Sequence, residues 1–155
     1  MYNQLLPQRL DNSYTGHKAA LWLFALVVLM KAAIGIGSIF NGYQAASTAD
    51  GIPLDTYPAA AAQAVVSLFA LLGLLHLIIC VICVVVLVRY RTLVAFMLLL
   101  LIFEFLGRKL ILLVLPITHS DAAPGTFVNL VLLGLMVIGL ALSLRGQPLQ
   151  PLPSG

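Results

Sequence analysis

Four long apolar stretches, separated by short polar segments, dominate the hydrophobic pattern of the chain. They cover residues 19–40, 65–88, 93–115 and 127–144. The hydrocarbon core of a bilayer is about 30 Å thick, and an α-helix needs about 20 apolar residues to cross it. Each stretch meets or approaches that length. The pattern therefore predicts an all-α, polytopic membrane protein with four transmembrane helices in one bundle.

The segments between and around these stretches refine the pattern. Pro58 followed by four alanines suits the first turn of a helix, so the second helix can begin before its apolar stretch. Only residues 89–92 separate the second and third helices, which predicts an antiparallel hairpin, and Pro116 is expected to end the third. Residues 1–18 form an N-terminal segment. The tail 145–155 contains three prolines and is predicted to be flexible.

The composition agrees with a membrane protein. Of the 155 residues, 62% are hydrophobic and only 8% are charged, against about 25% charged residues in soluble domains. Too few polar residues remain to cover a soluble domain, which excludes a conventional soluble enzyme, a disordered protein and a disulfide-stapled secreted module. The basic residues flank or interrupt the apolar stretches and leave no basic patch for nucleic acid. The expected partner is the lipid bilayer.

The distribution of lysine and arginine predicts the orientation. Residues 1–18 hold two of them, residues 89–92 hold two, and Arg145 follows the last stretch. The other two loops, 41–57 and 116–126, hold none. Because basic residues favour the cytoplasmic side, both termini are predicted to be cytoplasmic. The first stretch is too long for the core of a signal peptide. We expect an integral protein of a bacterial cytoplasmic (inner) membrane.

Five polar residues inside the stretches are the candidates for chemistry: Lys31, His76, Glu104, Arg108 and Lys109. Charged side chains are costly in hydrocarbon, so they normally face the bundle interior and pair with one another. At helical rise, Lys31 lies near the centre of the first stretch, His76 near the centre of the second and Glu104 at the centre of the third. Three helices are therefore predicted to bring these residues to one level.

Charge counting suggests a ligand. Arg108 lies four residues after Glu104 on the same helix face, where the two can form an ion pair, whereas Lys109 can extend its stem to the interface. With His76 neutral, Lys31, Glu104 and Arg108 sum to +1, and the surplus cation is taken as Lys31. Lys31 could lose its proton, a tyrosine or backbone carbonyl could solvate it, or an anionic or carbonyl-bearing ligand could complete the set. We therefore select Lys31, His76, Glu104 and Arg108 as ligand-binding candidates. The structural alternative is an ion pair that fixes helix register.

The spacing of His76, Cys80 and Cys83 on one helix raises the question of a metal or redox site. The three groups spread over about 10 Å, which is too far for one metal ion, and His119 lies in a loop. The cysteines also fall in the half of the bilayer that faces the predicted cytoplasm, where thiols stay reduced. No metal and no cofactor are expected.

Small residues predict close helix packing. Ala33 and Gly37 form a small-x3-small pattern, and Gly35 lies between them. Such spacing lets helix backbones approach closely in a membrane. Gly134 and Gly139 make the fourth stretch a further candidate for close contact.

With four predicted helices joined by short loops, the chain resembles the DoxX-like proteins in size and helix count. A single buried glutamate also resembles the small multidrug transporters, but theirs lies in the first helix and Glu104 lies in the third. Neither resemblance is carried by a motif that matches residue by residue, so the sequence assigns no family.

Three hypotheses for function follow. The leading one is binding, sensing or passage of a small anionic or proton-exchanging ligand at the buried cluster. The second is a non-catalytic subunit or assembly factor of a larger membrane complex, or a homo-oligomer, whose charges pair with those of a partner. The third is a thiol or quinone redox protein that uses Cys80 and Cys83. The sequence favours a role other than catalysis, since it shows no other catalytic set.

Overall fold

The computed structural model describes residues 12, 14, 16–117 and 124–145, and its secondary structure there is entirely helical. Its four long helices are α1 (Lys18–Phe40), α2 (Ala59–Arg89), α3 (Val94–Val114) and α4 (Pro124–Leu144). Helix α2 begins directly after Pro58, as the run of alanines indicated. The predicted tail 145–155 and N-terminal segment 1–18 lie largely outside the described residues.

Short helical segments connect the long ones. After α1 come an α-helical turn, a π-helical turn and a 3₁₀ turn, which span Gly42–Gln44, Ala45–Ala49 and Leu54–Thr56. Helices α2 and α3 are joined by Tyr90 and the 3₁₀ turn Arg91–Leu93. We call the side of the molecule with residues 41–57 the loop end, and the side with Arg91–Leu93 the turn end.

Three of the helices are long and apolar enough to cross a membrane, namely Lys18–Phe40, Ala59–Arg89 and Pro124–Leu144. Helix α3 has 21 residues, the same number as α4, but it carries Glu104, Arg108 and Lys109. These lengths and compositions are those of an integral membrane protein.

Helix α1 is the centre of the packing, since it lies against both α2 and α4, while α3 packs chiefly on α4. The α1–α2 interface keeps one antiparallel register, because three contacts spread along α1 and the turn after it join positions whose numbers add to the same value. The contacts are Cys80 with the Val28 carbonyl, Gly73 with Gly35, and Val66 with Gly42. The two helices therefore run side by side across the whole thickness of the molecule.

Glycine permits the closest of these approaches. A Cβ atom on Gly73 would lie 2.6 Å from the carbonyl oxygen of Gly35, which is far inside van der Waals contact. The predicted pattern of Ala33 and Gly37 does not mediate this packing. Ala33 is exposed and a Cβ on Gly37 would meet nothing within 4 Å, because residues two apart on a helix point about 200° from each other.

The two glycines of α4 that the sequence singled out differ in their contacts. Gly139 is buried, and a Cβ there would lie 3.4 Å from the side chain of Leu98 on α3. The prediction for Gly134 is wrong in this structure, since a Cβ at that position would meet nothing within 4 Å. Gly125, at the loop-end start of α4, also packs closely, since a Cβ there would lie 2.6 Å from the carbonyl oxygen of Ala49.

The larger of the two hydrophobic cores lies toward the turn end. All four helices contribute buried side chains to it, and these belong to the turn-end half of each helix or to its middle: Phe24, Val27, Val28, Cys80, Cys83, Val86, Val94, Met97, Leu98, Leu101, Phe105, Leu132 and Met136. Beyond Phe105, no further residue of α3 is buried, and Leu115 is 67% exposed. The four helices thus pack on one another mainly in their turn-end halves, while at the loop end a smaller core forms around Ala46, Ile52 and Leu54.

Candidate functional site

A salt bridge between α1 and α3 forms the centre of the candidate site. The Lys31 ammonium donates a hydrogen bond to Glu104 Oε2 at 2.7 Å. Lys31 is only 5% exposed, whereas the Glu104 side chain keeps 28% of its accessible surface. A cation buried this deeply in an apolar bundle requires a partner, and Glu104 supplies it. The pair joins two helices that otherwise make little contact.

His76 on α2 completes a three-residue group around the carboxylate. Its Nε2 atom lies 3.6 Å from Glu104 Oε1, the oxygen that Lys31 does not use. Its Nδ1 atom lies 2.9 Å from the backbone carbonyl of Leu72. A carbonyl oxygen can only accept a hydrogen bond, so Nδ1 must carry a proton. The remaining ring nitrogen faces the carboxylate.

The expected ion pair between Glu104 and Arg108 is absent from the described residues. No carboxylate oxygen there lies within 4 Å of the Arg108 guanidinium, which instead stands 5.9 Å from the centre of the Phe105 ring. The i, i+4 spacing allows the pair, but Lys31 reaches the carboxylate from the neighbouring helix. The surplus cation predicted at Lys31 is therefore Arg108. Lys109 is exposed, which agrees with a side chain that reaches the interface.

One polar residue near this site was not singled out from the sequence. Asn129 lies in α4, three residues before buried Leu132, on the stripe that continues to Met136. The antiparallel contact of Gly139 with Leu98 sets the register of α4 against α3, and the same register places Asn129 level with Arg108. A carboxamide at helical spacing from Leu132 and Met136 was the available sequence signal.

The two cysteines take no part in the cluster. Both are free and buried, and Cys80 Sγ contacts the Val28 carbonyl across the α1–α2 interface. No group of three or more histidine, cysteine, aspartate or glutamate side chains that could hold a metal ion occurs in the part of the chain that the structure describes. The thiols pack as small apolar groups within the core.

A groove between α1 and α2 has a volume of about 520 Å³ and is open on one side. Its walls are apolar side chains together with Cys80, for example Val28, Leu29, Leu77 and Val81. None of the four candidate residues lines it. The groove is therefore separate from the charged cluster.

Comparison with known proteins adds no relative. No family model, no curated protein and no solved structure matches this chain. The site therefore has to be interpreted from its own geometry.

Proposed function

We propose that the chain is a small integral membrane protein whose Lys31–His76–Glu104 cluster binds and releases a proton, as part of sensing or moving a small ligand. In this proposal α3 crosses the membrane beside the other three helices, because Glu104 is paired with Lys31, Arg108 is partly buried and Lys109 can reach the interface. The protein is then a four-helix bundle with both termini in the cytoplasm and its loop end outside.

The observation that carries the proposal is the contact between His76 Nε2 and Glu104 Oε1. Because Nδ1 is used by the Leu72 carbonyl, a neutral ring would point a lone pair at a carboxylate oxygen 3.6 Å away. Two acceptors facing each other in a poorly hydrated place repel. A proton on Nε2 converts the same contact into a charge-assisted hydrogen bond after a small approach.

Glu104 keeps Lys31 as a partner during this proton exchange. The ammonium holds one carboxylate oxygen at 2.7 Å, so the carboxylate stays ionised and oriented whether or not His76 is protonated. The other oxygen, Oε1, is the one whose contact with His76 changes when the imidazole gains or loses a proton. The cluster thus has two states that differ by one proton, and the partly exposed Glu104 side chain provides access to water.

The test is the number of protons that purified protein takes up as the pH falls from about 8 to 5, the range over which histidine titrates. We expect His76→Gln to take up one proton fewer per molecule than the parent. His17→Gln is the control, because it removes one exposed histidine at the start of α1 and leaves the cluster intact. If His76→Gln takes up as many protons as the parent, His76 does not exchange a proton in this range and the proposal fails.

The second candidate is a subunit of a membrane complex or a homo-oligomer. It is favoured by the loop-end half of α3, where the side chains of Leu110, Ile111, Leu113 and Val114 are each at least 60% exposed. A partner helix could cover that surface. Cross-linking from Leu113→Cys in native membranes, with Trp22→Cys on the exposed surface of α1 as the comparison, would detect such a partner at α3 alone.

A further inference from the structure

The loop-end half of the bundle differs from the turn-end half in its polarity as well as in its packing. The buried face of α3 runs through Met97, Leu101 and Phe105 and then continues to Arg108, which is only partly buried. On α4 the inward stripe begins at partly buried Asn129 and continues to Leu132. Arg108 on α3 and Asn129 on α4 therefore lie at one level, to the loop side of Glu104, and both are partly buried.

Arg108 brings a positive charge to this place that Glu104 does not compensate. Lys31 already neutralises the carboxylate, and no carboxylate oxygen within the described ranges lies within 4 Å of Arg108. The guanidinium contacts the face of the Phe105 ring, which is a weak interaction beside a full counter-ion. A half-buried cation in a membrane bundle is expected to have an anionic partner.

Charge and shape limit the kind of anion. One uncompensated cation matches one negative charge, and the nearby Glu104 carboxylate disfavours a divalent ion. The planar guanidinium binds a planar carboxylate through two parallel hydrogen bonds. The amide of Asn129, at the same level on the neighbouring helix, can donate a further hydrogen bond.

From these observations we infer that a small monocarboxylate binds between Arg108 and Asn129, one helical turn to the loop side of Glu104. This inference rests on the proposed function, because it names the ligand whose binding accompanies proton exchange at His76 and Glu104. The two events favour each other. A proton at the cluster adds positive charge about 6 Å along the helix from the bound anion, and such coupling is reciprocal.

The packed core closes the turn side of the cluster. Phe24, Leu98, Leu101 and Met136 are at most 1% exposed and fill the bundle there. At the loop end a second, smaller group of buried side chains, Ala46, Ile52 and Leu54, packs with Val66 and Phe69 of α2. The carboxylate site therefore lies on the loop side of the larger packed region.

The experiment measures the thermal stability of the full-length protein in detergent while sodium acetate replaces sodium chloride at constant ionic strength. Acetate is the probe because it is the smallest stable alkyl carboxylate. The Tm of the parent is expected to rise with acetate concentration, as it does for any ligand that binds the folded state alone. Arg108→Gln should weaken acetate binding by about ten- to a hundredfold, the cost of losing charged hydrogen bonds. Asn129→Leu should weaken it by a smaller factor.

Lys109→Gln is the matched control, since it removes the same charge from the adjacent, exposed position. It should respond to acetate like the parent. An equal loss in Lys109→Gln, an unchanged response in Arg108→Gln, or no response in the parent would each overturn the inference. His76→Gln distinguishes the two proposals. Its Tm should still rise with acetate, because Arg108 is intact. This result is expected even if the proton count shows that His76 never exchanges a proton.

Discussion

Gly35 on α1 and Gly73 on α2 pack backbone against backbone, so that a Cβ atom on Gly73 would lie 2.6 Å from the Gly35 carbonyl oxygen. This contact lies one turn to the loop side of Lys31 on α1 and next to the turn that carries His76 on α2. The distance between the two helices at the cluster is therefore set by the absence of two side chains.

Replacing Gly73 with alanine tests this crossing. The new methyl group would meet a backbone atom that cannot move aside, and overpacking of this kind costs about 1–3 kcal/mol. Gly37→Ala is the control on α1, because a Cβ there meets nothing within 4 Å and alanine favours the helix by up to about 1 kcal/mol. Thermal unfolding in detergent should show a lower Tm for Gly73→Ala and an equal or higher one for Gly37→Ala. A Gly73→Ala protein as stable as Gly37→Ala would contradict the crossing.

The double variant Cys80→Ala/Cys83→Ala tests the redox hypothesis. Both thiols are free, buried and packed against apolar side chains, so we expect a loss of about 1–2 kcal/mol in stability from the smaller side chains. Proton uptake by His76 should remain at the parental number. If it disappears while the protein remains folded, the thiols are part of the chemistry.

The common level of the three cluster residues could be predicted from the sequence, because helical rise converts position in an apolar stretch into height along the helix. Lys31, His76 and Glu104 came out at one level, and in the structure their side-chain atoms lie 2.7 and 3.6 Å apart across the Glu104 carboxylate. The limits of the apolar stretches likewise anticipated the four long helices of the structure to within a few residues, except at the start of α2.

The rotation of each helix about its axis could not be predicted in the same way. The i, i+4 rule favours Arg108 as the partner of Glu104, but the choice depends on which face of α3 meets α1, and only tertiary packing settles that. Gly35 and Gly37 show the same limit. Both are small residues in a suitable pattern, yet only Gly35 faces α2.

Outside the long helices, the Tyr43 phenol donates a hydrogen bond to Asp55 Oδ1. This bond and the nearby negative charge raise the pKa of Tyr43. A raised tyrosine pKa favours the protonated folded state, so this contribution is complete below about pH 10, the unfolded value, and is lost as pH rises through the folded value. In a spectrophotometric titration, the number of phenols that ionise at a raised pH should be one fewer in Asp55→Asn than in the parent. An identical titration curve would show that the bond does not form in solution.

Two exposed positions at opposite ends test the orientation. Thr48 lies in the loop-end segment, and Arg91 lies in the tight turn between α2 and α3. A charged, membrane-impermeant thiol reagent should label Thr48→Cys on intact cells and Arg91→Cys only after permeabilisation, because the basic turn is predicted to face the cytoplasm. The native cysteines are buried and serve as the unlabelled background. The reverse pattern of labelling would invert the topology.

The last prediction concerns the Lys31–Glu104 pair. Because Lys31 is bonded to Glu104 at 2.7 Å, Lys31→Met leaves a carboxylate without its main partner, and Glu104→Gln leaves a buried ammonium without an acid. Removing one partner of a buried pair costs about 3–5 kcal/mol, and partial exposure of Glu104 places both variants near the lower value. This differs from the result of charge counting, which took Lys31 as the surplus cation.

The double variant Lys31→Met/Glu104→Gln distinguishes a specific pair from two independent losses. With both charges gone, no unpaired charge remains, so its loss of stability should be smaller than the sum of the single losses by about 2 kcal/mol. Lys109→Met controls for removal of a lysine at an exposed site and should stay within about 0.5 kcal/mol of the parent. Thermal unfolding in one detergent measures all four variants. A Lys31→Met protein as stable as the parent would show that Arg108, not Lys31, holds Glu104 in solution.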